Sequence, residues 1–288
     1  ADDAAFDSAL AALKADWAQL LSVFSISSGY EKLDRMVNIW NQYQCMVTFN
    51  MSRSASYYET GTGRGMGFRD SCQDLYGFMH IIPERARERI IDIASIQFAD
   101  GSTYHQYQPL TKQGNADIGG GFNDDPLWLV GAVCAYIKET GDTKFLYQEI
   151  PFLNNPEVKD TVLGHVIRAL DFLENNKGIH DLLLIKFGDW NDSLTGAGKE
   201  GRGESVWLSM AYAYALSQIA ELCRFVGEDE KAANLQARSE AMDREFKGDY
   251  RILGSDNDPK CISLSMANAR KAGVDKLIEF KDGDATKM

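Results

Sequence analysis

Residues 6–20 read Phe6-Asp7-Ser8-Ala9-Leu10-Ala11-Ala12-Leu13-Lys14-Ala15-Asp16-Trp17-Ala18-Gln19-Leu20. Phe6, Leu10, Leu13, Trp17 and Leu20 recur at intervals of three and four, which lines them along one side of an α-helix. Leu33, Met36, Val37, Trp40 and Tyr43 repeat the pattern. Working outward, the same period predicts helices over about 69–80, 84–98, 126–140, 160–175, 204–226 and 229–246. Pro83 sits just before Glu84 and Gly141 just after Thr140, where helices start and stop. Short connections make successive helices antiparallel neighbours. Three connections are longer, over 50–68, 99–124 and 187–203, and are polar, glycine-rich and aromatic. Loops of that length usually carry function. The predicted fold is mainly α: part of an α/α barrel with long loops gathered at one end.

The pattern changes near residue 248. Ile252 and Leu253 form a short apolar run ending in Gly254-Ser255-Asp256-Asn257-Asp258-Pro259, an amphipathic stretch covers 262–272, and Leu277, Ile278 and Phe280 lead to Gly283-Asp284. This is a short strand–helix–strand signature in a helical chain.

The 288 residues suffice for one large or two medium domains, and 44% hydrophobic with 25% charged residues is an ordinary globular balance. A net charge of -12 disfavours nucleic acid or an anionic membrane as the main partner, while leaving room for a local phosphate site. No apolar run approaches the ~20 residues of a membrane span, and the acidic start does not read as a signal peptide. Cys45, Cys72, Cys134, Cys223 and Cys261 are odd in number and scattered. That favours buried free thiols in a reducing, cytoplasmic setting. Without an initiator Met, the chain reads as an excerpt of something longer.

Three clusters carry chemistry. In Gly188-Asp189-Trp190-Asn191-Asp192 two carboxylates flank an indole. The indole face suits a sugar ring, and a carboxyl against such a wall can be raised into a general acid. The alternative is structural, with Asp192 or Ser193 capping a helix. In Arg64-Gly65-Met66-Gly67-Phe68-Arg69-Asp70-Ser71-Cys72-Gln73-Asp74, Arg69 with Asp70 and Asp74 offers donors and acceptors for vicinal hydroxyls. A helix beginning at Asp70 would explain the acids but not the glycines, and the spacing fits no nucleotide loop. The third cluster pairs Tyr104-His105-Gln106-Tyr107-Gln108-Pro109 with Asn123-Asp124-Asp125-Pro126-Leu127-Trp128, a mixture of aromatic, amide and carboxylate groups typical of carbohydrate sites. Here Asp125 before Pro126 reads equally as a helix N-cap, and His105 as a structural histidine. His80, His165 and His180 are too scattered for a metal site.

Together, Val37-Asn38-Ile39-Trp40-Asn41-Gln42-Tyr43-Gln44-Cys45, Asn50-Met51-Ser52-Arg53-Ser54-Ala55-Ser56-Tyr57, Gly67-Phe68-Arg69-Asp70-Ser71, Tyr104 to Thr111 and Asp189-Trp190-Asn191-Asp192 resemble the inverting β-glucoside phosphorylases, cellobiose phosphorylase above all, over about residues 1–247. The resemblance implies a helical linker over 1–30 and part of an (α/α)6 barrel over 31–247. It implies reversible, inverting phosphorolysis of cellobiose to α-glucose 1-phosphate and glucose. Laminaribiose and cellodextrin phosphorolysis are the alternatives. Asp192 becomes the general acid, Trp190, Arg69 and Asp70 or Asp74 hold the transferred sugar, and His105, Gln106, Asp124 and Asp125 line the substrate site. No cofactor is implied, since inorganic phosphate is a co-substrate. The full-length enzyme is expected to be a homodimer.

The family's phosphate-binding His, Thr and Gly residues and its second acidic residue come from later in the barrel and have no match here, nor does its upstream β-sandwich. Residues 248–288 instead resemble part of an S-adenosylmethionine-dependent rRNA methyltransferase, with Asp256 matching the ribose-binding acid and Asp284 the acid near adenine. That family's glycine-rich first motif is absent. The sequence thus reads as a join of two fragments, inactive as it stands. Two other readings stay open: a methyltransferase module using the helical region as a substrate domain, and a carbohydrate-binding helical protein without chemistry.

Overall fold

The computed structural model describes residues 2–51, 65–108, 111–114, 121–153, 155–191, 195–246, 252–256, 258–273 and 275–283. The chain divides into two compact units, Ala1–Ser239 and Glu240–Met288.

The first unit opens with α1 (Asp3–Leu21), capped by Asp2, whose carboxylate accepts from the Ala5 N–H at 2.7 Å. A second helical rod runs through α2 (Glu31–Arg35), a π-helical stretch Met36–Asn41 and α3 (Gln42–Met51). Strand β1 (Met66–Gly67) leads directly into α4 (Phe68–Tyr76), and α5 (Pro83–Ala94) follows with proline in its first turn. Strands β2 (Gln106–Gln108) and β3 (Gln113–Gly114) complete a small antiparallel sheet in the order β1-β2-β3, with Gly67 opposite Gln106.

Next come α6 (Asp125–Thr140), the antiparallel hairpin β4 (Glu149–Phe152) and β5 (Asn155–Thr161), α7 (Val162–Glu174), the short α8 (Thr195–Gly198), α9 (Val206–Phe225) and α10 (Asp229–Phe246). The division between the units falls within α10.

The fold is mainly α, as the periodicity predicts. The departures are local: the loop read over 187–203 holds the short α8, the loop read over 50–68 ends in β1, and the helices read over 69–80 and 84–98 stop at Tyr76 and Ala94. The stretch read as helix from 160 begins two residues later, because 155–161 pair with β4. The loop read over 99–124 contains two short strands.

Helix α6 is the hub, packing against α4, α5, α7 and α9. Its Leu129, Val130, Ala132, Val133 and Ile137 are all buried, and each large aliphatic contributes about 1.5–3 kcal/mol. Gly131 permits the approach of α4: a Cβ there would lie 1.9 Å from the Tyr76 hydroxyl. From α4, Phe68, Cys72 and Leu75 enter the core at positions i, i+4 and i+7. His165 on α7 is structural. Its Nδ1 is 2.7 Å from Gln97 Oε1, its Nε2 is 3.0 Å from the Ile150 carbonyl, and burial lowers its pKa.

In the second unit, β6 (Ile252–Asp256), α11 (Pro259–Ala272) and β7 (Ile278–Asp282) form the expected βαβ element, with β6 and β7 parallel and Ile252 opposite Ile278. All five cysteines are free, but Cys261 is exposed and Cys45 half-buried, which corrects the expectation of buried thiols at those two positions. Cys261 occupies the solvent face of α11. Among the described residues, no helix is long and apolar enough to cross a membrane.

Candidate active site

The start of α4, the start of α6 and the loop before α9 converge on one buried cluster. Arg69 is the second residue of α4. Its Nη1 donates to Asp124 Oδ2 at 3.3 Å and to the Asp189 carbonyl at 2.8 Å. Trp128 Nε1 donates to the same Asp124 oxygen at 2.9 Å. Burial raises the Asp124 pKa against the pull of the Trp128 N–H and the Arg69 charge.

The helix starts explain why these side chains are available. Asp124, not Asp125, is the N-cap of α6, and its side chain makes no capping bond because Arg69 and Trp128 engage it. The reading of Asp125 as N-cap is therefore corrected: it is the first helical residue. Asp125 Oδ2 lies 2.9 Å from His105 Nδ1, with both groups buried. Burial pushes Asp125 up to about 7, against the hydrogen bond from His105. Burial alone would lower His105, but the bond to Asp125 and its charge outweigh it and hold the imidazole above its ordinary value. Their titrations are therefore coupled.

Phe122, which sequence reasoning passed over, is the wall of this cluster. His105 stacks on it at 4.0 Å, the Arg69 guanidinium lies 5.5 Å from its centroid, and Phe187 meets it edge-on at 5.1 Å. Its backbone bridges Lys186 and Gly188, where a Cβ would come within 3.0 Å of the ring. The only advance signal was the alternation of glycine and aromatic residues around 121–122 and 187–188.

Asp189 fixes the following loop. Its Oδ1 accepts from the Asn191 N–H at 2.8 Å and its Oδ2 from the Ser205 hydroxyl at 2.5 Å. Ser205 is the N-cap of α9, where its Oγ accepts from the Leu208 N–H at 3.1 Å. Trp190 is half-exposed beside this clip, 6.4 Å from Trp207, and Trp207 is stacked 6.3 Å from Trp128.

The remaining site candidates divide. Asp70, in the first turn of α4, turns back over Gly67, where a Cβ would fall 2.4 Å from its Oδ2. Gly65 passes so close to Tyr107 that a Cβ would lie 2.4 Å from the carbonyl oxygen. These approaches account for glycines that a helix start at Asp70 left unexplained, and the helix in fact starts at Phe68. Gln106 is buried on β2, opposite Gly67. Asp74 lies one turn further along α4, near Cys45 of α3, whose thiol is raised by burial and by the Asp74 charge. Asp192, with Ser193, lies outside the described residues. Among the described residues no group of three or more His, Cys, Asp or Glu could hold a metal ion.

Residues 16–250 match the catalytic domain of the glycosyl hydrolase 94 superfamily. The chain belongs to this superfamily. Its catalytic domain is an (α/α)6 barrel, so the helices packed on α6 are part of such a barrel. Among its relatives in superfamily 94 are the solabiose phosphorylase of Paenibacillus borealis, 34% identical over 77% of this chain and 27% of that protein, and the N,N'-diacetylchitobiose phosphorylase of Vibrio proteolyticus, 32% identical over 88% and 34%. The chain thus spans about a third or less of the length of these relatives. A 57-residue stretch is 46% identical to the ribosomal RNA large subunit methyltransferase K/L of Vibrio parahaemolyticus, covering 20% of this chain and 8% of that protein.

Proposed function

We propose that this chain carries the donor-sugar side of an inverting β-glycoside phosphorylase, with cellobiose as substrate and inorganic phosphate as co-substrate. The observation that supports it best is the double engagement of Arg69, which ties α4 to Asp124 on one side and to the backbone of the Trp190 loop on the other. Hydrogen-bonding groups are thereby held rigidly beside an exposed indole, the arrangement a sugar ring needs.

In this reading Trp190, Arg69 and Asp70 hold the transferred glucose, with Asp74 as the alternative to Asp70. His105, Gln106, Asp124 and Asp125 line the cup around it. Asp192 gives its carboxyl proton to the bridging oxygen, which leaves with the released glucose. A phosphate oxygen forms the new bond to the anomeric carbon from the opposite face, so configuration inverts. An inverting hydrolase needs a second carboxylate to activate water. Phosphate is already an anion, and one acid suffices. Hydroxyl contacts from the cup strengthen as the ring approaches an oxocarbenium ion.

Asp192→Asn in the full-length enzyme is the test. Phosphate release from glucose 1-phosphate plus glucose should vanish while the circular dichroism and melting curve stay those of the parent; retained activity would remove Asp192 from its role. Assaying the parent against cellobiose, laminaribiose, cellodextrins, solabiose and N,N'-diacetylchitobiose identifies the sugar.

The parallel β6–α11–β7 unit and the 57-residue match favour a second reading for that part of the chain, S-adenosylmethionine binding near Asp256, at the C-terminal end of β6. The matching Asp284 lies outside the described residues. Calorimetric titration with S-adenosylmethionine decides it: heat of binding supports the reading, and none disposes of it.

A further inference from the structure

In the first unit α6 packs between α4 and α9, with α5 and α7 also against it. One side of this row of helices is open. On α9, Trp207, Met210, Tyr214, Gln218, Glu221 and Phe225 recur at intervals of three and four and share one stripe. Met210 is 57%, Tyr214 65% and Phe225 76% exposed. On α6 the matching stripe is Trp128, Gly131, Ala135 and Lys138, none of them buried. The two stripes belong to one surface. Trp128 stacks on Trp207 at one end, and Lys138, Glu221 and Phe225 line a common groove of about 680 Å³ at the other. Tyr76 of α4, 43% exposed, lies over Gly131 and joins the third helix to this surface. An apolar face spread over three helices is more than a free monomer usually leaves in water.

The fold indicates what covers it. An (α/α)6 barrel closes six helical hairpins into a ring, whereas the described residues supply three inner helices, α4, α6 and α9. After α10 the chain passes into the parallel β6–α11–β7 element, which is no helical hairpin. In a ring of six equivalent hairpins, the half that faces a given half is related to it by a two-fold rotation. A second copy of the row α4–α6–α9 therefore has the curvature that the open side needs. The face also carries both signs of charge, since Lys138 and Glu221 are both exposed along the groove. Two-fold pairing sets Lys138 of one copy against Glu221 of the other. We propose that this open inner face is an interface between two copies of this chain, which complete a ring together. The interface is the inside of the barrel, which sets it apart from the homodimer expected of the full-length enzyme. It rests on the barrel fold and on no sugar chemistry.

Sedimentation equilibrium of the 288-residue chain over a concentration series tests the proposal. The parent is expected at twice the mass of one chain. Tyr214→Asp puts a charge into the middle of the stripe at an exposed position. It should raise the dissociation constant of the dimer at least about tenfold while the circular dichroism spectrum stays that of the parent. Leu13→Asp, on the exposed stripe of α1, should leave the dimer intact. If Tyr214→Asp does not fold, Phe225→Asp, at the last residue of α9, takes its place with the same expectation. The proposal is overturned if the parent is a monomer at every concentration, which leaves the face to a different partner, or if it forms a larger open assembly. It is equally overturned if the dimer survives the folded α9 variant, or if Leu13→Asp breaks it as readily, since any exposed apolar stripe would then serve. No sugar enters the measurement, so this proposal and the phosphorylase reading fall separately.

Discussion

Helices α1 and α6 begin alike, each at an aspartate, and diverge at once. In α1 the Asp2 carboxylate caps its own helix, and no residue of the helix is buried. In α6 the cap position is Asp124, but its carboxylate is spent on Arg69 and Trp128, while ten residues of the helix are buried. A cap bond is worth about 0.5–2 kcal/mol. Helix α6 gives one up and is held by packing instead. Where a helix start forgoes its ordinary local bond without losing stability, the freed group is available for chemistry.

The sharpest way to break this comparison is to place one charge in each helix. Val133→Asp puts an unpaired carboxylate into the fully buried face of α6 and should cost about 5 kcal/mol or abolish folding. Leu10→Asp in α1 should shift stability by no more than about 0.5 kcal/mol. Urea denaturation of the two variants beside the parent measures both. Equal losses would mean that α1 carries packing the structure does not give it.

The next effect concerns the polar start of α6. Arg69→Ala leaves Asp124 buried with only the Trp128 N–H as a described partner, and should cost about 3 kcal/mol. Because burial already raises Asp124, part of the penalty is relieved by protonation, so the loss should be smaller at pH 5 than at pH 8. Thermal melts at the two pH values check this. An equal loss at both would show that Asp124 stays ionised without its partner.

The same contrast explains what the sequence discloses. Three- and four-residue spacing exposes every long helix, including α1, because periodicity reports a stripe and not its partner. It cannot tell that Phe6, Leu10 and Leu13 stay in solvent while Val130 and Val133 vanish. Among the candidate site residues, Arg69, His105, Asp124 and Asp125 come together from positions up to 56 residues apart, visible because their types suit a sugar. Phe122 and Ser205 escape notice since a lone aromatic and a lone serine have no signature until the fold brings them to His105 and Asp189. Asp125 is misread for the opposite reason. Asp-Pro is a common helix start, and only the imidazole 20 residues upstream shows that its carboxylate is engaged elsewhere.

That carboxylate carries the smallest expected effect and the most specific one. Asp125 is raised to about 7 in the folded chain, whereas in the unfolded chain it titrates near its ordinary value of 3.8. Between those values the folded chain holds the extra proton, so stability must fall as pH rises from about 4 towards 7. His105, raised as well, acts in the same direction as pH passes through its folded value. The decline contributed by the pair should be about 2 kcal/mol between pH 5 and pH 7. Asp125→Asn keeps the shape and an oxygen for the imidazole but removes the titrating acid, and the slope over that interval should flatten accordingly. Urea midpoints at pH 5, 6 and 7 give the answer, with the exposed Asp3 at the start of α1 mutated to Asn as the matched control. If Asp3→Asn flattens the slope as much as Asp125→Asn, burial at the start of α6 is not what sets the proton affinity. If neither does, the His105–Asp125 pair is ionised in the folded chain, as an ordinary ion pair would be.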